Sequence, residues 1–310
     1  MRVATRQSPL ARWQAERVVE LLGARAGVEA ELVFVETTGD RRTDVPLHSI
    51  GGTGVFVKEV QEAVLDGRAD VAVHSAKDLP ALTPDGLVLA AIPERADARD
   101  ALVGSTLDGL PTGAVVATGS VRRRAQLAAR RPDLGFAELR GNMHTRLKQA
   151  SRYDAIVVAA AALDRLGLAE RIAERLDPSV MLPQVAQGAL AVECRADDAT
   201  TLEMLAAIDD AAVRRPVDAE RAFLAELGGG CSLPVGAHAS LLADDTVSIE
   251  GLLATPDGRS VVRTTDNDAD PAVAGRRVAA TLQAMFGPGT FDAGAPDPAG
   301  LGAGTAAGAS

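Results

Sequence analysis

A length of 310 residues allows roughly two domains of about 150 residues each, or three smaller ones. The net charge of −10 argues against a nucleic-acid partner, because a phosphate backbone attracts a basic surface. No run approaches the roughly 18 apolar residues of a membrane-spanning helix, and the first residues lack the apolar region of a signal peptide. We therefore expect a cytoplasmic protein with no membrane partner.

The first 92 residues predict alternating strands and helices, which is typical of a parallel sheet. Ser8 and Pro9 open the first helix, with the serine as its cap. Residues 38–53 are polar and rich in glycine, which predicts an exposed loop. The predicted strands of this part are Arg2–Thr5, Ala30–Thr37, Val71–Val73 and Leu87–Ile92, and the helix after the loop contains Phe56, Val57, Val60 and Val64.

A charged segment at Pro93–Arg99 predicts a crossover into a second series of the same kind. Its strands are predicted at Ala114–Thr118, Phe136–Leu139 and Ala155–Ala159, its helices at Val121–Arg131 and Met143–Ser151, and a further buried strand at Ala189–Cys194. Residues 4–15 (ATRQSPLARWQA) and 117–129 (ATGSVRRRAQLAA) both place Ala-Thr, a serine and an arginine-bearing helix after a strand. This echo favours two similar lobes that face each other, although chance similarity in a chain rich in alanine and arginine also explains it.

From about residue 210 the pattern changes to a small α+β domain. A helix is predicted at Pro216–Leu227, alternating stretches at 235–242, 246–253 and 259–265 predict antiparallel strands, and Val273–Phe286 predicts a closing helix. Residues 287–310 are mostly Gly, Ala, Pro and Ser with little apolar bulk, which predicts a disordered tail.

The segment VAVHSAKDLP at 71–80 runs from an apolar strand directly into polar residues. Ligands of open parallel sheets bind just beyond the carboxyl ends of the strands. His74, Ser75, Lys77 and Asp78 would lie there, and Asp78 is the strongest catalytic candidate because a carboxylate beside an apolar core can stabilise charge on a ligand. The alternative is a simple helix cap by Ser75 or Asp78.

Arginines recur at strand ends and helix starts, where free backbone N–H groups also favour anions. No Walker loop or GxGxxG motif follows a strand, so carboxylates are better candidate ligands than nucleotides. For any single arginine, an exposed ion pair is the simpler explanation. The arginines in such positions are Arg6, Arg122, Arg123, Arg140, Arg146 and Arg165.

The two cysteines have different settings. Cys194 lies in a strand pattern and is expected to be packed, whereas Cys231 follows three glycines and is expected to be accessible. An exposed thiolate can attack an electrophilic carbon, so Cys231 is a candidate covalent tether. There is no CxxC pair, and the four histidines have no metal-ligand spacing, so we expect no metal site.

Seven segments in order resemble one family, porphobilinogen deaminase (hydroxymethylbilane synthase), over residues 1 to about 290. They are ATRQSPLA at 4–11, GVFVKE at 54–59, RADVAVHSAKDLP at 68–80, TGSVRRRAQLAARRPD at 118–133, LRGNMHTRL at 139–147, LPQVAQGALAVECR at 182–195 and GGGCSLPVG at 228–236.

The resemblance implies an α/β fold with two periplasmic-binding-protein-like lobes, whose sheets are rich in parallel pairs. A small C-terminal α+β domain with a three-stranded antiparallel sheet would complete a monomer. The expected divisions are residues 1–95 plus about 188–208 for lobe 1, 96–187 for lobe 2, 209–287 for the third domain, and a disordered tail at 288–310.

The resemblance also implies a transferase that joins four porphobilinogen molecules head to tail, releases ammonia at each step and ends with hydroxymethylbilane. A dipyrromethane cofactor would be attached covalently through Cys231. The alternative from another class is a non-enzymatic cytosolic two-lobed protein that binds carboxylates. That alternative explains the lobes and the arginines, but not Cys231 or the third domain.

By resemblance, Asp78 is catalytic and Phe56 lies near the active-site loop, where it could stack on a pyrrole. Many family members carry lysines where this chain has Ser49 and Thr53, which puts a carboxylate-binding role of the 38–53 loop in doubt, although Arg41 and Arg42 could substitute. The implied cofactor-binding residues are Cys231, Lys77, Thr118, Ser120, Arg122, Arg123 and Arg146, and the implied substrate-binding residues are Arg6, Ser8, Arg140, Arg165 and Phe56.

Overall fold

The structure is a computed structural model that describes residues 1–41, 54, 56–228 and 234–286. Its strands are β1 (Arg2–Arg6), β2 (Glu31–Val35), β3 (Val71–Ser75), β4 (Leu87–Ala91), β5 (Asp100–Val103), β6 (Val115–Ala117), β7 (Gly135–Ala137), β8 (Ala155–Ala159), β9 (Glu174–Arg175), β10 (Leu190–Arg195), β11 (Val235–Leu241), β12 (Val247–Ala254) and β13 (Val261–Asp268). Its helices are α1 (Pro9–Ala26), α2 (Thr38–Arg41), α3 (Lys58–Leu65), α4 (Val121–Arg130), α5 (Met143–Gln149), α6 (Ala160–Arg165), α7 (Ala199–Ala206), α8 (Ala211–Glu226) and α9 (Pro271–Phe286).

The first sheet has the strand order β2-β1-β3-β10-β4. Strand β1 is parallel to β2 and β3, as the alternation of strands and helices predicts, whereas β10 is antiparallel to β3 and β4. Val3, Ala4 and Val71 are fully buried, because helices pack on both faces of the central strands. Strand β10 enters the sheet only after the chain has returned from the second sheet.

The second sheet has the order β7-β6-β8-β5-β9. Strand β6 is parallel to β7 and β8, and β5 is antiparallel to β8 and β9. Neither β5 nor β9 was predicted from the sequence pattern. Strand β5 has only four residues and begins with a charged one, Asp100, yet all four are buried.

The two chain segments that connect these sheets, one containing Arg95 and Ala96 and the other Gly188 and Ala189, lie side by side. A bridge joins Arg95 to Ala189, and the Ala96 N–H donates to the Gly188 carbonyl at 2.9 Å. Gly188 has a φ of +88°, and a Cβ there would collide with the carbonyl of Ala96. Glycine is therefore needed at this position for both its conformation and its size.

The third sheet is the predicted antiparallel one, with the order β11-β12-β13, and it is covered by α8 and α9. Phe223, Val278 and Leu282 pack between helices and sheet, and none is more than 1% exposed. Helix α8 begins at Ala211 rather than at the predicted Pro216. The cap is the Asp210 carboxylate, which accepts from the Ala212 N–H at 2.9 Å, and Pro216 lies inside the helix.

Glu220 of α8 attaches the third sheet to the two connections. Its fully buried carboxylate pairs with Arg95 at 2.8 Å and accepts from the backbone N–H groups of Ala186 at 2.6 Å and Ala239 at 2.7 Å. One carboxylate therefore joins three segments that are distant in sequence. Among the helices that the structure describes, none is long and apolar enough to cross a bilayer.

Candidate active site

Strand β3 ends at Ser75, and a 3-10 turn at Ala76–Asp78 follows it. Asp78 is partly exposed, and its carboxylate accepts no hydrogen bond from the described residues. Ser75 precedes the turn without capping it through its side chain. The simple cap that the sequence left open is thus not formed, and the Asp78 carboxylate is available to a ligand.

Lys77 connects this turn to the second crossover. Its Nζ donates to Gln187 Oε1 at 3.3 Å, and the Gln187 amide donates in turn to Asp100 Oδ1 at 2.9 Å on the second sheet. Burial lowers the pKa of Lys77 to about 8, although the Asp78 carboxylate acts in the opposite direction. The site therefore spans both large sheets.

The loop Thr118–Ser120 lies at the carboxyl end of β6 and starts α4. Ser120 is the predicted cap, with its Oγ accepting from the Arg123 N–H at 3.4 Å, and Thr118 Oγ1 accepts from the Ser120 N–H at 3.2 Å. A Cβ on Gly119 would stand 2.8 Å from the Leu139 carbonyl oxygen. Glycine therefore lets this loop approach the loop that carries Arg140.

Arg122 and Arg123 both bind the buried carboxylate of Asp100. Arg122 Nη1 lies 2.8 Å from Oδ2, and Arg123 reaches Oδ1 through Nη2 at 2.7 Å and Nε at 2.9 Å. Burial acts to raise the pKa of Asp100, but the two guanidinium charges outweigh it and hold that pKa well below its ordinary value. Sequence reasoning missed Asp100, and its only local signal is a carboxylate at the head of the apolar run Ala101–Val103.

The two arginines differ in their remaining donors. Arg123 also donates from Nη1 to the Val157 carbonyl at 3.1 Å, so each of its three side-chain nitrogens has an acceptor. Arg122 donates from Nη1 to the Leu182 carbonyl at 2.6 Å, but its buried Nε and Nη2 have no acceptor among the described residues. Buried donors without acceptors are costly, which indicates that Arg122 can take an anionic ligand.

Arg140 and Arg146 flank the start of α5. Asn142 caps that helix, and Arg146 Nε donates back to the Gly141 carbonyl at 2.8 Å. Burial, together with the charge of Arg123, lowers the pKa of Arg146 to about 10, while Asp78 opposes the shift. Arg140 Nε lies 3.5 Å from a Glu138 carboxylate oxygen.

In the first sheet, the Arg6 guanidinium lies over the ring of Phe56, 4.2 Å from its centroid. Ser8 caps α1 as predicted, with its Oγ accepting from the Ala11 N–H at 3.3 Å. The ring face of Phe56 that would stack on a pyrrole is thus shared with an arginine here. Its stacking role stays a prediction.

Arg165 ends α6 and is 7% exposed. Its Nη2 donates to the Gly188 carbonyl at 2.7 Å, while its buried Nε has no acceptor among the described residues. Burial lowers the pKa of Arg165 to about 10, against the effect of the Glu94 carboxylate.

Cys231, Arg42, Ser49 and Thr53 lie outside the described residues, as does the side chain of Arg41. The other cysteine is packed as predicted. Cys194 is fully buried, and burial raises the pKa of its thiol to about 11.

The fold and the site together define a two-lobed α/β protein whose cationic side chains gather where its two large sheets meet, as a site for a ligand with several carboxylates would require. Within the part of the chain that the structure describes, cationic groups from both sheets lie near the Asp78 carboxylate, which accepts no hydrogen bond, and buried guanidinium nitrogens of Arg122 and Arg165 have no acceptor. A pair of lobes joined by two connections, with a third small domain, is the architecture that the sequence predicted.

Comparison with known proteins identifies the family. The model for "Porphobilinogen deaminase, dipyromethane cofactor binding domain" matches residues 1–203, and that for "Porphobilinogen deaminase, C-terminal domain" matches residues 215–284. The chain belongs to the porphobilinogen deaminase family. It is an enzyme of tetrapyrrole biosynthesis that takes porphobilinogen as its substrate and makes hydroxymethylbilane, and the carboxylate-binding alternative is not favoured.

Curated relatives agree over most of the chain. Porphobilinogen deaminase of Acidithiobacillus ferrooxidans is 49% identical over 291 residues, which cover 92% of this chain and 95% of the relative. That of Brevibacillus brevis is 45% identical over 290 residues, 92% of this chain and 94% of the relative. That of Syntrophotalea carbinolica is 50% identical over 271 residues, 86% of both chains.

Among solved structures, an ancestral cationic amino acid solute binding protein matches with a TM-score of 0.42 and 13% identity, covering 66% of this chain and 86% of that one. The periplasmic VFT2 domain of Bordetella pertussis BvgS matches with a TM-score of 0.40 and 19% identity, covering 67% and 86%. At these TM-scores the likeness adds nothing to the strand orders given above.

Proposed function

We propose that this chain assembles hydroxymethylbilane on a dipyrromethane cofactor joined by a thioether to Cys231, with Asp78 as the catalytic residue. The observation that carries the proposal is the Asp78 carboxylate, which accepts no hydrogen bond from the described residues and lies beside two cations, Lys77 and Arg146. A partly exposed carboxylate in that position can accept the N–H of a pyrrole.

The residues of the site fit the cofactor. Each pyrrole carries two carboxylates, and Arg122 offers two buried donors without acceptors among the described residues. When bound, the dipyrromethane supplies the pyrrole carbon from which the product chain grows. The residues proposed to hold it besides Cys231 are Lys77, Thr118, Ser120, Arg122, Arg123 and Arg146.

The two paired arginines then have different tasks. Arg122 binds a carboxylate directly through Nε or Nη2, whereas Arg123 contributes its charge and keeps Asp100 in place, because its nitrogens already have acceptors. Charge-assisted hydrogen bonds of this kind are the strong ones in proteins. They explain how an acidic protein binds a polyanionic chain.

Asp78 would stabilise the reaction electrostatically. Loss of ammonia from porphobilinogen leaves positive charge on the pyrrole, and a fixed carboxylate beside it lowers the free energy of the transition state. Lys77 and Arg146 lie beside Asp78 and can bind carboxylates of the same ligand. The residues proposed to bind substrate or growing-chain carboxylates are Arg6, Ser8, Arg140 and Arg165, and Phe56 is proposed to stack on a pyrrole.

We further propose a cytoplasmic monomer without a nucleic-acid partner. Its divisions are lobe 1 at residues 1–95 plus about 188–208, lobe 2 at 96–187 and the third domain at 209–287. The strand orders support this division, since β10 (Leu190–Arg195) belongs to the first sheet and β5 to β9 form the second.

The test combines intact mass with activity. The purified wild-type protein should exceed the mass of its bare polypeptide by one dipyrromethane and should release ammonia from porphobilinogen. Cys231→Ala should lose both the added mass and the activity, whereas the matched Cys194→Ala should keep both. A wild-type protein of bare mass, or a Cys231→Ala variant that retains the added mass, would contradict the tether.

A further inference from the structure

Trp13 is the only tryptophan of the chain and lies in the second turn of α1, beside the first sheet. Its ring contacts Arg165, which ends the helix that follows β8 of the second sheet. The guanidinium carbon is 5.3 Å from the centroid of the ring. The contact therefore joins the two halves of the protein.

The ring holds the cation without using any of its hydrogen-bond donors. A guanidinium over an aromatic face is attracted by the negative charge density of that face. A carboxylate partner in the same place would take N–H groups and would neutralise the charge. Arg165 instead keeps Nε without an acceptor among the described residues, although the side chain is more than nine-tenths buried.

Two other contacts fix the same guanidinium. Nη2 donates to the Gly188 carbonyl at 2.7 Å, and the Glu94 carboxylate acts on the charge from nearby. Glu94 is in turn bound at 3.0 Å by Nε of Arg17, which lies four residues after Trp13 and so on the same face of α1. One face of α1 therefore sets both the position and the electrostatic surroundings of Arg165.

We propose that Trp13 is a positioning residue for substrate binding: its ring holds the Arg165 guanidinium so that Nε is left to bind a pyrrole carboxylate. The proposal rests on the proposed substrate-binding role of Arg165. It extends that role to a residue that is proposed not to touch the substrate and that lies in α1, beside the other large sheet.

The test is a set of ring substitutions in the holoenzyme. Trp13→Leu removes the aromatic face and should raise KM for porphobilinogen roughly tenfold with little change in kcat. Trp13→Phe keeps a face and should restore most of the affinity. The matched control is Phe34→Leu. The exposed Phe34 ring, on β2, lies under the guanidinium of Arg12 of α1 at 6.0 Å, and its replacement should leave KM unchanged.

The masses of the protein species tell which carboxylate is bound. If only KM rises, the carboxylate that Arg165 binds belongs to the incoming porphobilinogen. If partly elongated species accumulate while KM is unchanged, that carboxylate belongs to the growing chain. A Trp13→Leu variant whose KM and species masses both equal those of the wild type would overturn the proposal. Equal losses of kcat and melting temperature in Trp13→Leu and Trp13→Phe, at unchanged KM and species masses, would show a packing role and also overturn it.

Fluorescence provides a second measurement if Trp13→Leu fails to fold. Porphobilinogen should change the emission of the single tryptophan in the wild-type protein but not in Arg165→Gln. If porphobilinogen leaves the tryptophan emission of the wild-type protein unchanged, the proposal is overturned. A wild-type protein that consumes no porphobilinogen would instead contradict the proposed function, on which this inference depends.

Discussion

Asp78 and Asp100 are carboxylates at the meeting point of the two large sheets, yet their surroundings are opposite. Asp100 is fully buried and binds two arginines and Gln187, whereas Asp78 is partly exposed and accepts no hydrogen bond from the described residues. A carboxylate with its acceptor capacity already used holds neighbours in place. One with that capacity unused can serve a ligand, so the two should fail in different ways when altered.

Asp100→Asn should cause the largest change, and the change should be in stability. Removing one partner of a buried ion pair leaves uncompensated charge, here on Arg122 and Arg123, and should lower the free energy of unfolding by about 3–5 kcal/mol. Urea unfolding measures it. The control Asp257→Asn breaks an exposed pair with Arg259 and should leave the unfolding free energy nearly unchanged.

The pH dependence of stability sharpens the same point. The pKa of Asp100 is depressed in the folded protein, so its contribution is present above the unfolded pKa and is lost as pH falls towards the folded value. Asp100→Asn should therefore flatten the acid side of the stability curve. If Asp100→Asn and the wild type lose stability equally as pH falls, the depressed pKa of Asp100 does not contribute to stability and the prediction is wrong.

Asp78→Asn should lower the rate of ammonia release by about 10²–10³-fold while the melting temperature stays unchanged. The amide keeps the size of the side chain but cannot offset positive charge on a pyrrole. Asp78→Glu keeps the charge, displaced by one methylene, and should retain part of the activity. A variant with normal turnover and a lower melting temperature would remove Asp78 from the mechanism.

Lys77 should give the smallest effect, a pH dependence. With its pKa lowered to about 8, it loses its charge as pH rises, and kcat/KM should fall by up to about tenfold between pH 7 and pH 9. Lys77→Arg should move that fall to higher pH, and Lys148→Arg, at an exposed position, should not. The fall cannot come from unfolding by this group, because above pH 8 the unfolded state binds more protons at Lys77 and deprotonation favours the folded state.

Local sequence signals predicted what depends on neighbouring residues. Ser8 and Ser120 cap their helices as expected, since a cap needs only the next few backbone N–H groups. The predicted start of α8 at Pro216 was wrong. The helix begins at Ala211, because Asp210 caps it and Pro216 is tolerated inside it.

What the sequence could not predict depends on distant partners. Strand β5 is recognisable only through its pairing with β8, about 55 residues later, and Asp100 acquires its role only when α4 brings Arg122 and Arg123 to it. Arg122 and Arg123 lie at a helix start as predicted, whereas Arg165 lies at the end of its helix. A sequence pattern does not tell whether a side chain turns towards the interior or towards a ligand. In the sequence Trp13 is simply another apolar residue of α1, and only the position of α6 in the fold brings Arg165 over its ring.

The order of the strands has a consequence for synthesis of the protein. The second sheet has all its strands once residue 175 has left the ribosome, but β3 and β4 have no strand between them until Leu190–Arg195 has followed. Domains generally fold as units while the chain grows. The half of the protein that is made first is thus completed second. Until then the edges of β3 and β4 that will pair with β10 are open, and a chaperone or another nascent chain can bind them.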